Sequence, residues 1–216
     1  SWRNERKVYR DWCDLCGKSM LSLYSPDSSF TVYCSDCWWS DKWDPLHYGR
    51  DLDETRPFFD QFRELSAVVP KIAIIDLGNL TNSEYTNDVQ RLKNCYLVFD
   101  GEQAQDCYYG ESFLRLKDCA DFHHVYDCEG CYEIINCFKC YELQYSRFCI
   151  NCSHSWFLMD CHGCKDCLGC CNIQEKQYCI FNQQLSKEDY EKKLQELRLW
   201  TVDGREAFRV KAEEFF

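Results

Sequence analysis

The fold is decided by the stretch Cys128-Glu-Gly-Cys131-Tyr-Glu-Ile134-Ile-Asn-Cys137, in which every third residue is small or apolar. The same phase extends in both directions, because the cysteines from Cys95 to Cys179, except Cys171, are separated by multiples of three residues. An α-helix repeats every 3.6 residues and a strand every two, and a 3-10 helix does not persist over such a length. A tight coil with short sides and repeated corners explains a period of three.

A coil of twelve residues stacks the cysteines into columns. The columns are Cys95, Cys107, Cys119 and Cys131; Cys128, Cys140, Cys152 and Cys164; and Cys137, Cys149 and Cys161. Each coil then has four inward positions, and about seven coils stack one strand spacing apart, about 4.8 Å. Cysteine suits so narrow a core because it is small and readily buried. The sequence predicts a narrow right-handed β-solenoid over residues 93–182, with a cysteine-lined core.

An Asn or Asp precedes many of the inward cysteines. Such residues favour corners, where their side chains can bond to the local backbone. They are Asn94, Asp106, Asp118, Asp127, Asn136, Asn151, Asp160 and Asp166.

Two CxxC knuckles near the N-terminus, Cys13/Cys16 and Cys34/Cys37, are separated by seventeen residues. This spacing is typical of a zinc ribbon, in which four thiolates surround one structural zinc ion and leave no open position for catalysis. Residues 21–24 and 30–33 are predicted to form a hairpin between the knuckles. Two disulfides remain the alternative. The ribbon and the basic segment before it make up residues 1–50.

The remaining segments are predicted to be helical or to connect the two cysteine-rich parts. Residues 51–92 form a connector with one helix, capped by Thr55 and with Pro57 in its first turn, and one strand. Residues 183–216 form two helices, of which the first begins after Ser186 and closes the end of the solenoid. The predicted fold class is therefore mainly β, with a zinc ribbon, a solenoid and C-terminal capping helices.

A second chemistry is open to the cysteines at 161–170. Their spacing is similar to that of ferredoxin cysteines, which hold an iron–sulfur cluster. The run also continues the period of three, its last gap is two residues where ferredoxins have three, and no proline follows. Disulfides between inward positions six residues apart are a further alternative. The candidate cluster ligands are Cys161, Cys164, Cys167 and Cys170.

Outward positions carry a strip of aromatic residues. Such a strip is either a surface for a protein partner or the place where the protein's own helices pack. Its members are Tyr96, Tyr108, Tyr132, Trp156, Tyr109, Tyr145 and Phe157.

The net charge of −11 argues against a general binder of nucleic acid or membrane surfaces. No stretch approaches the roughly 20 apolar residues of a membrane span, and no signal-peptide core is present, so a cytoplasmic location is predicted. The chain lacks an initiator Met, and we expect it to be a piece of a longer protein. An RNA-binding hypothesis rests on basic residues beside the ribbon tryptophans. These cations are Arg3, Arg6, Lys7 and Arg10.

Several motifs resemble a large family of uncharacterised zinc-ribbon, cysteine-repeat proteins known from environmental genomes. They are Trp2-Arg-Asn-Glu-Arg-Lys, Cys13-Asp-Leu-Cys-Gly-Lys, Trp38-Trp-Ser-Asp-Lys-Trp-Asp-Pro-Leu, Tyr48-Gly-Arg-Asp, Asn82-Ser-Glu-Tyr-Thr-Asn and Asp160-Cys-His-Gly-Cys. The resemblance implies the architecture and supplies no activity. Members commonly extend beyond both ends of this sequence, so other parts of a longer chain are candidate partners. The coil is also similar to the solenoid of some insect antifreeze proteins, but it lacks their ranked Thr-x-Thr motifs.

The sequence favours a non-enzymatic scaffold or binding protein, because no pattern joins any of its five histidines to a nucleophile. In this interpretation one zinc ion fixes the ribbon, and the solenoid or the ribbon contacts a protein partner. A metal or redox protein with iron–sulfur clusters or several zinc ions is the alternative, and RNA binding is a third hypothesis.

Overall fold

A computed structural model describes residues 6–137, 139–151 and 153–216. The protein is mainly β, with 38% strand and 21% helix. A cysteine cluster lies near the N-terminus, a β-solenoid of about 8 coils of ~12 residues follows, and helices end the chain. The predicted fold class is confirmed.

The N-terminal part is a small hairpin followed by short elements. Strand β1 (Tyr9–Trp12) pairs antiparallel with β2 (Ser19–Ser22). The chain continues through β3 (Val32–Tyr33), α1 (Ser35–Trp38) and a 3-10 helix (Pro45–Tyr48). The hairpin predicted between the two knuckles is absent from this described region, because the first knuckle is itself the turn between β1 and β2. Gly17, at φ +69°, permits that turn.

The connector contains the predicted helix, α2 (Phe58–Val68). It begins later than expected, because Pro57 occupies the N-cap position instead of the first turn. None of its residues is fully buried, and Phe58, Phe59 and Phe62 are each more than half exposed. Strand β4 (Lys71–Ile72) follows and pairs parallel with β3, which joins the ribbon to the solenoid.

One sheet of eleven strands forms the solenoid. Each strand pairs with the strand one coil later, so that Tyr96 lies beside Tyr108 and Trp156 beside Leu168. The last strand pairs antiparallel and covers the sheet edge. The strands are β5 (Leu80–Thr81), β6 (Asn87–Lys93), β7 (Tyr96–Gln105), β8 (Tyr108–Lys117), β9 (Ala120–Tyr126), β10 (Tyr132–Ile135), β11 (Gln144–Arg147), β12 (Trp156–Met159), β13 (Lys165–Cys171), β14 (Gln177–Ile180) and β15 (Gln183–Gln184).

The solenoid begins before residue 93, inside the segment assigned to the connector. β5 and β6 belong to the same sheet as the later strands, and a bridge joins Asp76 to Val89 one coil later. These first coils were not predicted from the sequence, because their inward positions hold Val89 and Leu92 in place of cysteine.

Four columns of inward side chains fill the core, and we name them by the residues of one coil: column A at Cys95, B at Val98, C at Gly101 and D at Ala104. Cys152, which the sequence places in column D, lies outside the described residues. Neighbouring coils compensate one another in volume. The ring of Phe122 lies over Gly110 in column B, where a built Cβ would be 2.4 Å from the ring, so glycine is required beneath the phenylalanine. Phe113 lies over Gly101 in the same way.

The corners are residues in the left-handed region immediately before each inward position, such as Asp106 at φ +54° and Tyr109 at φ +57°. Asn and Asp tolerate this conformation best, which explains their frequency there. The sequence predicts that their side chains bond to the local backbone. Some of them also bond to a side chain of the next coil. Asn94 Nδ2 donates to Asp106 Oδ1 of the next coil at 2.8 Å, and Asn82 donates to Asn94 at 3.2 Å.

Two helices follow the solenoid, as predicted. Helix α3 (Lys187–Leu197) begins after Ser186, whose Oγ accepts from the Asp189 amide at 3.1 Å. Helix α4 (Val202–Phe215) begins three residues before Arg205, where the sequence predicts the second helix to start. α3 packs on β14 and α4 on β13. Their buried residues, including Phe208, meet Phe157 and Leu168 on the outside of the last coils. No helix in the described ranges is long and apolar enough to cross a bilayer.

We expect Gly110→Ala to destabilise the protein by about 1–3 kcal/mol, because the new methyl group overlaps the ring of Phe122. Phe122→Leu in the same chain should recover part of this loss. Urea unfolding of the two single variants and the double variant measures the coupling. Strictly additive losses would show that the two side chains do not compete for the same volume.

Candidate metal centre and binding surface

Four cysteine sulfurs converge at the tip of the N-terminal hairpin. The Sγ atoms of Cys13, Cys16, Cys34 and Cys37 all lie within 4.8 Å of one another, and Cys16 and Cys34 are 3.8 Å apart. All four are free thiols, so the two-disulfide alternative does not describe this structure. Cys13 and Cys37 are buried, while Cys16 is exposed. The predicted ligand residues are thus brought together in a group that could hold a metal ion.

Backbone contacts hold the two knuckles face to face. The Asp14 amide donates to Val32 O at 3.0 Å, and the Val32 amide donates to Asp14 Oδ2 at 2.6 Å. The second knuckle lies at the start of α1, where Cys34 is the N-cap residue. The Cys34 amide donates to Cys13 Sγ at 3.2 Å. Both knuckles are therefore fixed by the local fold.

The thiols differ in acidity. Burial raises the pKa of Cys13, but hydrogen bonds from the amides of Cys34, Cys16 and Leu15 outweigh it and lower the pKa to about 7. Burial and the three neighbouring sulfurs raise the pKa of Cys37 to about 12. Four thiolates at this separation repel one another, so their full ionisation needs a cation among them.

The aromatic residues after the second knuckle form a small core beside the sulfurs. Trp43 packs on Trp38, with ring centroids 4.7 Å apart, and its Nε1 donates to Trp38 O. Trp39, in contrast, is 77% exposed.

The basic residues before the ribbon contact the solenoid. Arg6 forms an ion pair with Glu111 at 3.1 Å, and Arg10 donates to the Tyr85 hydroxyl at 2.9 Å. Lys7 is exposed, and Arg3 lies outside the described residues. Two of the four cations in the RNA hypothesis are thus engaged within the protein.

The solenoid cysteines form hydrogen-bonded ladders. Cys107 shows the pattern: its Sγ donates to Gln105 O at 3.2 Å and accepts from the Cys119 amide one coil later. The serines in the same columns behave identically, since Ser155 Oγ donates to Ser153 O and accepts from the Cys167 amide. Hydrogen bonds with the sulfurs of Cys119 and Cys95, together with burial, raise the pKa of Cys107 above its usual value. It is a neutral, structural thiol.

The four candidate cluster cysteines occupy successive inward positions of one coil. Cys161, Cys164, Cys167 and Cys170 are all fully buried and lie in columns C, D, A and B. Among the described residues, the groups of three or more potential ligands with donor atoms within 4.8 Å are the N-terminal four and Cys119/Cys128/Cys131, so this run is not such a group. Its sulfurs face one another across the core.

One disulfide is present in the described chain, between Cys128 and Cys131. The sequence suggested pairs six residues apart, and this pair is three residues apart. The reason is that columns D and A are adjacent, so residues at successive inward positions approach more closely than residues on opposite sides of the coil.

The predicted aromatic strip lies on one side of the solenoid, between columns A and B; we call it the aromatic face. Its C-terminal half is covered by the protein's own helices. Phe157 is buried against Phe208 at 5.3 Å between ring centroids, and Tyr145 and Trp156 are partly buried in the same cluster. These three residues therefore do not form a free partner surface.

The N-terminal half of the aromatic face is exposed. About 40% of the surface of each of its four tyrosines is accessible. Ala120 lies between Tyr108 and Tyr132 in the parallel register, which leaves a recess one coil high. The exposed members are Tyr96, Tyr108, Tyr109 and Tyr132.

Asp121 lies at this recess. Its Oδ1 is the one buried side-chain oxygen or nitrogen in the described part of the chain that lacks a hydrogen-bond partner. Burial raises the pKa of the adjacent Tyr132 to about 12, with added effects of Glu133, Tyr145 and Asp121. Asp121 was not predicted as a functional residue. The signal that could have indicated it is the interruption of the tyrosine column by Ala120 and Asp121.

No protein-family model matches the chain, and no match is found among curated proteins. The resemblance to the environmental zinc-ribbon family stays a prediction. Fold and site together define a class: a cysteine-rich β-solenoid with a four-cysteine candidate metal centre at its N-terminus.

The ladder geometry predicts a difference between two substitutions of Cys107. Cys107→Ser should cost less than about 1 kcal/mol, because a hydroxyl can accept and donate the same bonds. Cys107→Ala should cost about 1–3 kcal/mol more, because the Cys119 amide loses its acceptor inside the core. Chemical unfolding measures both. Equal losses would mean that the sulfur contributes volume alone.

Proposed function

We propose that this protein is a non-enzymatic scaffold, in which a zinc ion fixes the N-terminal ribbon and the exposed half of the aromatic face binds a protein partner. The observation that carries the proposal is the continuity of that face, since one half already receives a helix and the other half presents four tyrosines.

Zinc is the metal that suits the N-terminal site. Tetrahedral zinc holds thiolates at about 2.3 Å, which places the sulfurs about 3.8 Å apart. The Cys16 and Cys34 sulfurs have that separation, at 3.8 Å. Four thiolates complete the coordination, so the role is structural.

The occupant that we propose for the exposed face is a basic amphipathic helix of another protein. Helix α4 shows how a helix binds this face: its Phe208 and Ala212 are buried in one cluster with Phe157 and Leu168. A cavity of about 310 Å³, lined in part by Glu133, Arg209 and Phe216, marks where α4 ends on the face.

Charge supports a basic partner. Asp121 Oδ1 has no internal donor, and Glu133 follows it one coil later in the same outward column. A Lys or Arg side chain entering the recess would be attracted by the carboxylates of Asp121 and Glu133 and would lie against the tyrosine rings, where a cation–π contact contributes about 0.5–2 kcal/mol. The net charge of −11 favours the same encounter.

RNA binding stays a prediction of the sequence, and the contacts of Arg6 and Arg10 within the protein make it the less supported candidate. The cytoplasmic location is likewise a prediction.

The zinc assignment predicts one zinc per chain by elemental analysis. Cys34→Ser should lose it and unfold the ribbon, because structural zinc supplies most of the folding free energy of such small units. Hydrogen exchange should then increase in 9–48 and stay slow in the solenoid core. Cys171→Ser, outside both sulfur groups, is the matched control and should keep the zinc. Iron in place of zinc, or a ribbon that stays protected in Cys34→Ser, contradicts the assignment.

The partner proposal predicts that a photo-crosslinking amino acid at Tyr108 captures one protein in cells. The same amino acid at Tyr126, which is similarly exposed on the opposite side of the coil, should not capture it. With the captured protein purified, Asp121→Lys should weaken binding at least tenfold, about 1.4 kcal/mol, in calorimetry. Glu175→Lys, on the opposite side of the coil, should leave it unchanged.

Equal capture from both tyrosines would contradict the proposal, as would equal affinity of the two lysine variants. Capture of RNA instead of protein would replace it with the RNA hypothesis.

A further inference from the structure

A second group of three sulfurs lies inside the solenoid. The Sγ atoms of Cys119, Cys128 and Cys131 are all within 4.8 Å of one another, and none of these residues is more than 2% exposed. Cys119 and Cys131 stack in column A on adjacent coils, and Cys128 reaches the same space from column D. We call this group the core trio.

The trio differs from the rest of the described solenoid because nowhere else in it do three sulfurs converge within 4.8 Å. The cause lies in where two runs of cysteine meet. The first run in column A ends at Cys131, and the run in column D begins at Cys128. Three sulfurs then surround one point instead of forming a line.

Two of the three sulfurs are joined as the Cys128–Cys131 disulfide. Two equivalents of a small thiol reduce it by exchange: the disulfide takes up two electrons and two protons and becomes two thiols, and the small thiol becomes its own disulfide. The reduced trio then presents three buried soft donors.

We propose that the reduced core trio binds one copper(I) ion. Soft thiolate ligands select copper(I) over the hard divalent ions. Replacement of one thiol proton by copper(I) leaves the charge of the buried site unchanged, which a low-dielectric core requires. A zinc ion would bring two charges and would need a fourth ligand for its usual tetrahedral geometry.

The trio lies at the end of a run of cysteines in column A, from Cys95 through Cys107 and Cys119 to Cys131. The proposal goes beyond the scaffold function and depends neither on the ribbon zinc nor on the aromatic face.

The test uses the whole chain with its ribbon zinc in place, reduced with a phosphine and handled without oxygen. Copper(I) is supplied from a coloured copper(I) chelator, and copper and zinc per chain are measured together. We expect the wild-type chain to gain copper with its zinc retained. Cys128→Ser should gain one copper fewer, whereas Cys149→Ser, equally buried but outside the trio, should match the wild type.

The oxidised wild-type chain, with Cys128 and Cys131 still joined, provides an independent comparison that needs no substitution. It should also gain one copper fewer than the reduced chain, so the proposal stays testable if Cys128→Ser does not fold. Copper uptake that is equal in the oxidised and reduced chains would overturn the proposal. Uptake only at the expense of the ribbon zinc would do the same, and a second zinc in the trio would assign the site to zinc.

Discussion

The solenoid depends on finding an acceptor for the amide N–H of each inward residue. In the triplet Asp106-Cys107-Tyr108, the first amide donates to Lys93 O at 2.9 Å and the third to Cys119 O at 3.0 Å. The middle amide points into a core that water does not reach, and its acceptor is the sulfur of Cys95 one coil earlier. An unpaired amide there would cost about 1–3 kcal/mol. Cysteine and serine recur because each is small and can both accept and donate.

This interaction explains why the coil tolerates its corners. A left-handed backbone costs about 1–2 kcal/mol for most residues, and the corners include aromatic ones such as Tyr109 and Phe157. A single coil could not bear four such residues. In the stack, backbone hydrogen bonds between coils and side-chain hydrogen bonds such as that from Asn94 to Asp106 hold every corner from both sides. Stability therefore belongs to the stack and not to any one coil.

Much of this could be predicted from the sequence, and the failures share a cause. The period of three and the length of the coil follow from cysteine positions alone, and so does the cluster of four cysteines near the N-terminus. The first coils were missed because Val89 and Leu92 carry no such marker, although they fill the same columns. Phe157 is covered because α4 packs on it, and this tertiary contact cannot be predicted from the local sequence of either segment. Asp121 Oδ1 lacks a hydrogen-bond partner within the described chain because of how side chains of neighbouring coils pack around it. That packing exists only in the assembled stack and leaves no mark in the sequence pattern.

The same residue type thus has two chemistries in one chain, and geometry separates them. In the ribbon, two knuckles bring four sulfurs within 4.8 Å of one another, and hydrogen bonds from three amides lower the pKa of Cys13, so full ionisation of the group needs a cation. Along column A, Cys107 lies one coil from Cys95 and from Cys119 and forms hydrogen bonds with both, and its raised pKa keeps it a neutral thiol. A spacing of one full coil therefore gives a ladder. A spacing of three residues gives a close group of sulfurs only where two runs of the chain converge, because the run from Cys161 to Cys170 has the same spacing and forms no such group among the described residues. Cys128 combines both spacings, because it starts one run of cysteines while facing the end of another. At that position the core brings three sulfurs within 4.8 Å of one another.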